Sequence, residues 1–321
     1  MPTNIADFIA STALLLLLAC LAIPGCSGDQ DDDDDDGYDG DDIDLSAVDD
    51  WTYWLSDIDL LELGNSAFDL AVIDYSQGGE ESGEWSPEQI ADLRASAGGD
   101  KLALAYLSIG EAEDYRFYWD QDWLDQPPDW LGPENPDWTG NYKVRYWMDG
   151  WQRLILGQNG YLERIMDMGF DGVYLDIIDA YEFWGPEGLD QKDDAADQMV
   201  RFVDRIAQQA RQVNPDFIVL GQNGLELAEL EPEYLEIIDG VGAEDTFFDG
   251  DDPQPADDVE WTVELLDLYL QRGLIVLAID YCRKSDNVDR FYRMALEHGY
   301  VPYSSQRDLE QLTIDLGHEP D

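Results

Sequence analysis

The feature that most constrains this chain is a repeated pattern in which a short apolar stretch leads into an acidic residue. Residues 170–175 are mostly apolar, include β-branched and aromatic side chains, and are followed by Asp176. A short apolar run that is flanked by glycines is typical of a buried parallel strand. The carboxyl ends of parallel strands lie on the rim where ligands bind, so an acidic residue there indicates a site.

The same pattern recurs along the chain. Similar apolar stretches lead into Asp74, into Glu111 and Glu113, into Glu244 and into Asp280. Eight strands are predicted in all, at residues 51–55, 68–75, 101–109, 170–175, 216–221, 240–243, 274–279 and 300–304. Eight such strands, of the parallel type and alternating with helices, predict an α/β fold over residues 51–321. The number of strands favours a (β/α)8 TIM barrel.

The connections are predicted to be mostly helical. Apolar residues at helical spacing predict helices at residues 87–96, 151–168, 191–213, 259–272 and 288–298. Residues 110–141 are dense in Trp, Pro and Asp and are expected to be irregular, with a short extra strand at residues 142–147. Structureless segments of that length inside a compact domain are usually functional.

Residues 1–26 are predicted to be a signal segment. The apolar run at residues 10–23 is too short to span a membrane and is typical of a secretory signal. The segment resembles a bacterial lipoprotein signal with lipidation at Cys26; processing at Cys20, or an ordinary cleaved signal, is the alternative. We therefore expect an exported protein, either lipid-anchored on the outer or periplasmic face of a bacterial membrane or secreted, with contact to the membrane only through that anchor.

Residues 27–50 are predicted to be a disordered acidic linker. Six consecutive Asp residues repel one another and bury no apolar surface. Calcium binding is a more specific alternative, but the spacing of these acidic residues lacks the pattern of an EF-hand loop. The whole chain carries 73 acidic and 17 basic residues, a net charge of -56, which argues against nucleic acid as a partner because that affinity depends on Lys and Arg.

An acidic rim with nearby aromatic residues suits glycosidic bond cleavage. One carboxyl group protonates the leaving oxygen, while a second, ionised one attacks the anomeric carbon or activates water. Aromatic rings offer apolar platforms for sugar faces, and the following lie near the predicted acids: Tyr106, Tyr115, Trp119, Trp147, Tyr181 and Trp184. The only histidines are His298 and His318, and no Cys or His set has metal-ligand spacing, so we expect no cofactor and no metal.

Four ordered motifs resemble glycoside hydrolase family 114, the endo-α-1,4-polygalactosaminidase-like barrels. They are Tyr106–Glu113, Gly169–Asp176, Gln222–Gly224 and Gly242–Phe248. The resemblance implies a (β/α)8 barrel, with Asp176 as nucleophile and Glu244 as acid/base; the residues alone leave the two roles interchangeable. It also implies an α-1,4-linked galactosamine polymer as substrate, cationic where it is deacetylated.

Other strand-end residues are expected to bind or orient the sugar. They are Asp74, Tyr106, Glu111, Glu113, Arg116, Trp147, Asp179, Gln222, Asn223, Asp280 and Tyr281. Arg116 is expected to pair with an acid, because an unpaired cluster of carboxylates is costly to keep ionised. Gln222 and Asn223 offer donors and acceptors to hydroxyl or acetamido groups.

Two other functions remain open from the residues. One is a non-catalytic barrel that binds polysaccharide at the cell surface. The other is a barrel enzyme with a divalent cation held by Asp74, Asp176 and Asp280. In each case we expect a monomer.

Overall fold

Eight parallel strands form the centre of the fold in a computed structural model that describes residues 44–321. The predicted signal segment, Cys26 and residues 27–43 of the predicted linker lie outside the described residues. The strands are β1 Trp51–Trp54, β2 Leu70–Ile73, β3 Leu102–Ser108, β4 Gly172–Asp176, β5 Ile218–Gln222, β6 Gly240–Glu244, β7 Ile275–Asp280 and β8 Val301–Ser304. They pair in chain order and curl into a nearly closed barrel, which confirms the predicted α/β TIM barrel.

Helices cover the outside of the barrel. They are α1 Leu60–Gly64, α2 Pro87–Arg94, α3 Asp149–Leu156, α4 Tyr161–Asp167, α5 Ala180–Trp184, α6 Ala195–Arg211, α7 Leu227–Leu230, α8 Ala256–Leu270 and α9 Ser285–His298. Short 3-10 helices lie at Leu45–Ala47, Glu81–Gly83, Gln121–Leu124 and Pro232–Glu236. None of the helices among the described residues is long and apolar enough to cross a membrane.

The predicted single helix at residues 151–168 is wrong. The structure has two helices, α3 and α4, separated by residues 157–160. This linker contains Gly157, Gly160 and Asn159, and Asn159 has a positive φ of 54°. Glycine weakens a helix through its backbone entropy, and asparagine tolerates the left-handed region, so the helix is interrupted where these residues cluster.

The strands alternate their side chains between two cores. Inward-facing residues fill the barrel, among them Trp51, Leu104, Tyr174 and Leu277. Outward-facing residues such as Ala105 pack beneath the helices in a second, larger cluster. Because successive side chains in a strand point to opposite faces, the position of a residue within its strand decides which core it joins.

One glycine makes room for the floor of the barrel. Gly242 lies in β6, and a Cβ added to it would lie 1.7 Å from the phenolic oxygen of Tyr174. Glycine is otherwise unfavourable inside a strand, and here it permits the close approach of an aromatic ring. Gly242 and Tyr174 therefore form a tightly packed layer beneath the strand ends.

The first and last strands of the barrel, β1 and β8, contact each other through side chains and loops. The indole of Trp51 in β1 donates a hydrogen bond of 2.9 Å to the carbonyl of Val301 in β8. Just beyond β1, the N–H of Leu55 donates to the carbonyl of Leu309 at 2.9 Å. In the part of the chain that the structure describes, no ladder of backbone bonds joins β1 to β8. Residues 305–309 thus complete the wall next to β1.

The ordered body begins before residue 51, where we expected the linker to end. Residues 44–50 lie against the barrel, with Val48 buried in its inner core. The N–H groups of Asp49 and Asp50 donate to the Asp69 carboxylate at 2.9 and 3.1 Å. A carboxylate that accepts two backbone N–H groups holds this segment, despite its acidic composition.

The segment between β3 and α3 has more structure than its composition indicated. Strands Glu111–Glu113, Leu131–Glu134 and Asn141–Val144 form a small antiparallel sheet, with Asn141–Val144 in the middle. The expected extra strand is therefore present but starts and ends earlier. Two short hairpins complete the strands: Ala95–Ser96 with Gly99–Asp100, and Phe248–Asp249 with Asp252–Pro253.

Candidate active site

The carboxyl ends of the strands enclose a cavity of about 520 Å³. Its lining includes both predicted catalytic acids, Asp176 and Glu244, together with Asp74 and Glu113. A hollow of about 650 Å³ at the opposite end of the barrel is lined instead by residues such as Leu45 and by none of the predicted site residues. In a parallel barrel the carboxyl-end cavity is the one that loops and strand ends equip for chemistry.

Asp176 is the last residue of β4 and is held by two donors. The hydroxyl of Tyr106 donates to Asp176 Oδ2 at 2.8 Å, and the N–H of Ile177 donates to Oδ1 at 2.7 Å. Burial and, after it, the neighbouring Glu244 raise the pKa of Asp176 to about 8. Ile177 has a φ of 57°, a conformation that is strained for a β-branched residue, so the turn that orients Asp176 is built at an energetic cost.

Glu244, the last residue of β6, is held from both sides. The Asn223 amide donates to Glu244 Oε2 at 3.0 Å, and the Tyr281 hydroxyl donates to Oε1. The Glu244 N–H in turn donates to Asn223 Oδ1 at 3.1 Å. The reciprocal bonds fix the backbone and the side chain of Glu244 together, which is what a reacting carboxyl group requires.

The carboxyl group of Asp176 is protonated near neutral pH. Its pKa is raised to about 8 by burial first and then by the neighbouring Glu244. A neighbouring acid disfavours the charged form of a buried carboxyl group. The cavity thus holds a protonated carboxyl group beside a second carboxyl side chain, and glycosidic bond cleavage uses two such groups.

A buried ion cluster forms the wall next to β2 and β3. Arg116 binds Asp74 at 2.7 Å and Glu113 at 2.5 Å, and all three side chains are almost completely buried. The hydroxyl of Tyr115 adds a hydrogen bond of 2.6 Å to Glu113. Arg116, which we expected to pair with one acid, therefore binds two. The cluster carries net negative charge at the edge of the cavity when both acids are ionised.

Gln222 lies between the two catalytic candidates. It is the last residue of β5, which pairs with β4 on one side and β6 on the other. Its side chain is 3% exposed and lines the cavity. The amide oxygen Oε1 is buried and has no hydrogen-bond partner among the residues that the structure describes.

Sequence analysis missed several residues that line the cavity. These are Tyr53, Trp138, Arg307, Asp308 and Leu309. Strand alternation could have identified Tyr53, since it lies two residues after the inward-facing Trp51. Trp138 is 54% exposed and lies in the irregular part of the segment after β3, and Arg307 follows the last strand, so neither position carries a periodic signal.

Asp179 and Tyr281 line the cavity as expected, whereas three other predicted residues do not. Glu111 turns away, because its carboxylate binds Lys143 at 2.5 Å in the small sheet. Trp147 packs edge-on against Trp184, at a centroid distance of 5.7 Å, outside the cavity. These two residues support the loop structure around the site rather than a sugar.

Asp280 is the third predicted residue that does not line the cavity. Its carboxylate accepts three backbone hydrogen bonds, from Thr246 at 2.7 Å, Phe247 at 3.0 Å and Phe248 at 2.9 Å. It therefore holds the loop that follows Glu244. Asp280 does not line the cavity because it faces outward in β7, whereas the next residue faces inward.

The same observations argue against the alternative cation site. Asp280 is directed to backbone N–H groups, and Asp74 is bound by Arg116, so these two do not converge on Asp176. Across residues 44–321, no three His, Cys, Asp or Glu side chains are grouped so that they could hold a metal ion.

Comparison with known proteins shows which family this chain resembles. The model of glycoside-hydrolase family GH114 matches residues 40–317. An uncharacterized protein of Methanocaldococcus jannaschii is 41% identical over 274 residues, which is 82% of this chain and 77% of the relative. An uncharacterized protein of Thermotoga maritima is 38% identical over 282 residues, 85% of each chain.

A solved structure supports the fold. The glycoside hydrolase domain of PelA from Pseudomonas aeruginosa superposes with a TM-score of 0.64 at 18% identity, covering 83% of this chain and 98% of that domain. At that level of identity the likeness concerns the barrel itself.

Proposed function

The chain belongs to glycoside hydrolase family GH114, and from that premise we propose that it cleaves internal bonds of an α-1,4-linked, galactosamine-containing polysaccharide. One observation carries the proposal. Asp176 and Glu244 end two strands that flank β5 and line one open cavity, and burial together with Glu244 raises the pKa of Asp176 to about 8. This is the machinery that hydrolysis of a glycosidic bond requires.

In the proposed reaction Asp176 attacks the anomeric carbon and Glu244 protonates the leaving oxygen, the roles that the family resemblance implies. In the free site the raised pKa places the proton on Asp176. A cationic sugar beside Asp176 favours its ionised form, and in the proposed step the proton passes to Glu244, which donates it to the leaving oxygen. In the second half of the reaction Glu244 accepts a proton from water, which attacks the glycosyl intermediate and releases Asp176.

The charge of the cavity supports a cationic substrate. Six carboxyl side chains line it, at Asp74, Glu113, Asp176, Asp179, Glu244 and Asp308, against the two guanidinium groups of Arg116 and Arg307. Such a lining attracts a partly deacetylated galactosamine polymer and raises its local concentration. The exposed rings of Trp138 and Tyr115 border the same cavity and offer apolar faces to neighbouring sugar units.

The test uses one variant of each carboxyl group. Asp176→Asn and Glu244→Gln should each lower the release of reducing ends from partly deacetylated α-1,4-galactosamine polymer by at least about a thousandfold. Glu229→Gln, on the exposed surface of α7, is the matched control and should cleave at the wild-type rate. Circular dichroism would check folding. Wild-type turnover by either active-site variant would remove the assigned pair.

The roles can be separated with an activated aryl galactosaminide. Glu244→Gln should still form the glycosyl intermediate, because a good leaving group needs no acid, and azide should restore turnover with retained configuration. Asp176→Gly should give the azide product of inverted configuration. The opposite result would exchange the two roles. Binding of the polymer by the wild-type protein without any new reducing ends would favour the non-catalytic polysaccharide-binding barrel.

We also propose that the protein is exported and carries a lipid at Cys26. This proposal rests on the apolar segment at residues 10–23, outside the described residues. Cys26→Ser should move the protein from the membrane fraction to the soluble fraction, and Cys20→Ser should leave it in place. The reverse pattern would assign the lipid to Cys20.

A further inference from the structure

An unpartnered acceptor lies between the catalytic carboxyl groups. Gln222 Oε1 is buried at the end of β5 and has no hydrogen-bond partner in the described structure. A buried polar atom without a partner is costly, by about 1–3 kcal/mol, unless a ligand supplies the missing bond. Because Gln222 lines the cavity, a molecule bound there can supply the missing donor.

Two of the neighbouring polar groups already have other partners. The amide of Asn223 is bound to Glu244 in both directions, and the hydroxyl of Tyr106 donates to Asp176. The side chain of Gln222 is thus an acceptor available for recognition in the cavity that Asp176 and Glu244 line. Its strand is paired to those of both carboxyl groups, so the acceptor has a fixed position relative to them.

The chemistry of a sugar limits which group can fill this position. The anomeric carbon is bonded to the ring oxygen, to the glycosidic oxygen and to C2. Both oxygens are ethers and can only accept hydrogen bonds. Near the reacting centre, the substituent on C2 is therefore the group that can donate to Gln222 Oε1.

Charge selects among the C2 substituents. A hydroxyl, an acetamido N–H and an ammonium group can all donate, but hydrogen bonds from charged donors are roughly twice as strong as neutral ones. The carboxyl groups of Asp176, Glu244 and Asp179 line the same cavity and favour a positive charge there.

We propose that Gln222 is a specificity-determining residue, whose Oε1 accepts a hydrogen bond from the C2 ammonium group of the sugar at the cleavage position. The bond selects a deacetylated hexosamine over a hexose at that position. This inference rests on the proposed function and narrows it to the sugar unit at which the chain is cut.

The experiment compares two substrates and three variants. The substrates are α-1,4-linked pentasaccharides of galactosamine and of galactose. Gln222→Met keeps the length of the side chain but removes the acceptor, whereas Gln222→Glu keeps an acceptor and adds negative charge. Gln271→Met, on the exposed end of α8, is the control for the substitution itself.

The expected result is a change in preference. Gln222→Met should lower kcat/KM for the galactosamine substrate by about ten- to a hundredfold, with a severalfold smaller loss for galactose. Gln222→Glu should retain at least the preference of the wild type for galactosamine. Equal losses on the two substrates, or an unchanged preference in Gln222→Met, would overturn the inference.

A binding measurement separates this inference from the proposed function. In the Asp176→Asn background, calorimetry with the galactosamine pentasaccharide should give weaker binding when Gln222→Met is added, and no change with Gln271→Met. If the wild type cleaves neither substrate, the proposed function fails. If it cleaves galactosamine but Gln222→Met binds and cleaves like the wild type, only the role of Gln222 fails.

Discussion

Removal of one hydroxyl group tests whether Asp176 and Glu244 act as a pair. The hydroxyl of Tyr106 donates to Asp176 at 2.8 Å and stabilises its ionised form. Tyr106→Phe deletes that donor and keeps the buried ring. The pair should then hold its proton more tightly, so the pKa at which this proton is lost should rise above about 8.

The size of the shift follows from the bond. A hydrogen bond to a charged group contributes about 1.5–3 kcal/mol. One pKa unit corresponds to about 1.4 kcal/mol, so the shift should be about 1–2 units. The shift concerns the free enzyme, in which the raised pKa places the proton on Asp176.

The assay is the pH dependence of kcat/KM on a soluble galactosamine oligosaccharide. In the wild type, kcat/KM should fall at alkaline pH with an apparent pKa near 8, because the free enzyme then loses the proton that Asp176 holds. In Tyr106→Phe this limb should move up by about 1–2 units. Turnover at neutral pH should fall, because less of the enzyme has an ionised nucleophile.

Tyr115→Phe is the matched control for that experiment. Its hydroxyl binds Glu113 rather than either catalytic carboxyl group, and the substitution keeps the ring that covers Arg116. Its alkaline limb should stay where the wild type has it. An alkaline limb that is equally placed in the wild type and Tyr106→Phe would refute the assigned hydrogen bond and the protonation state of the pair.

Three other substitutions test the framework around the pair. Asp280→Asn should lower the free energy of unfolding by about 2–3 kcal/mol in urea, because its carboxylate accepts three backbone N–H groups of the loop after β6; an unchanged midpoint would contradict that role. Arg116→Met should destabilise by about 3–5 kcal/mol, since Asp74 and Glu113 lose their buried counterion. The loss should grow as pH rises above about 6, the pKa to which burial raises Asp74, because its buried carboxylate is then ionised without a counterion. A loss that shrinks at high pH would argue against this. Trp138→Ala should lower kcat/KM for long chains severalfold, leave a disaccharide glycoside unaffected and keep the unfolding midpoint; an equal effect on both substrates would place Trp138 outside an outer sugar site.

The sequence predicted the barrel because parallel strands have a strong local signature. All eight predicted strands overlap the eight of the barrel, and the acidic residues at their ends marked the correct rim. The helix predicted at residues 151–168 failed because a four-residue interruption does not disturb apolar spacing enough to be noticed. Of the small sheet after β3, the sequence predicted one strand, at residues 142–147, and missed the other two, because these short strands lack alternation.

The site was predicted less well, and the reason is geometric. Position at the end of a strand indicates which rim a residue occupies, but alternation decides whether it faces the cavity. In β7, Leu277 and Ile279 face inward, so Tyr281 also faces inward and Asp280 faces the helices. The same rule places Asp74, two residues after Val72, on the inside.

Residues on loops follow no such rule. Arg307 and Trp138 reach the cavity from segments whose course depends on tertiary packing, and neither belongs to a strand or helix. A pattern in one sequence therefore locates the carboxyl groups at the strand ends more readily than the loop residues that line the cavity beside them.

The way in which β1 meets β8 has a consequence for motion. Because few hydrogen bonds join these two strands, the barrel should open locally between them before it unfolds elsewhere. The amide hydrogens of Thr52 and Tyr53 should therefore exchange with deuterium sooner than those of β4. The cavity is bordered by Tyr53 and Leu55 on the β1 side and by residues 307–309 on the β8 side. A saccharide that contacts both sides of the cavity would hold β1 and β8 together. Binding of the saccharide should therefore slow the exchange of these amide hydrogens.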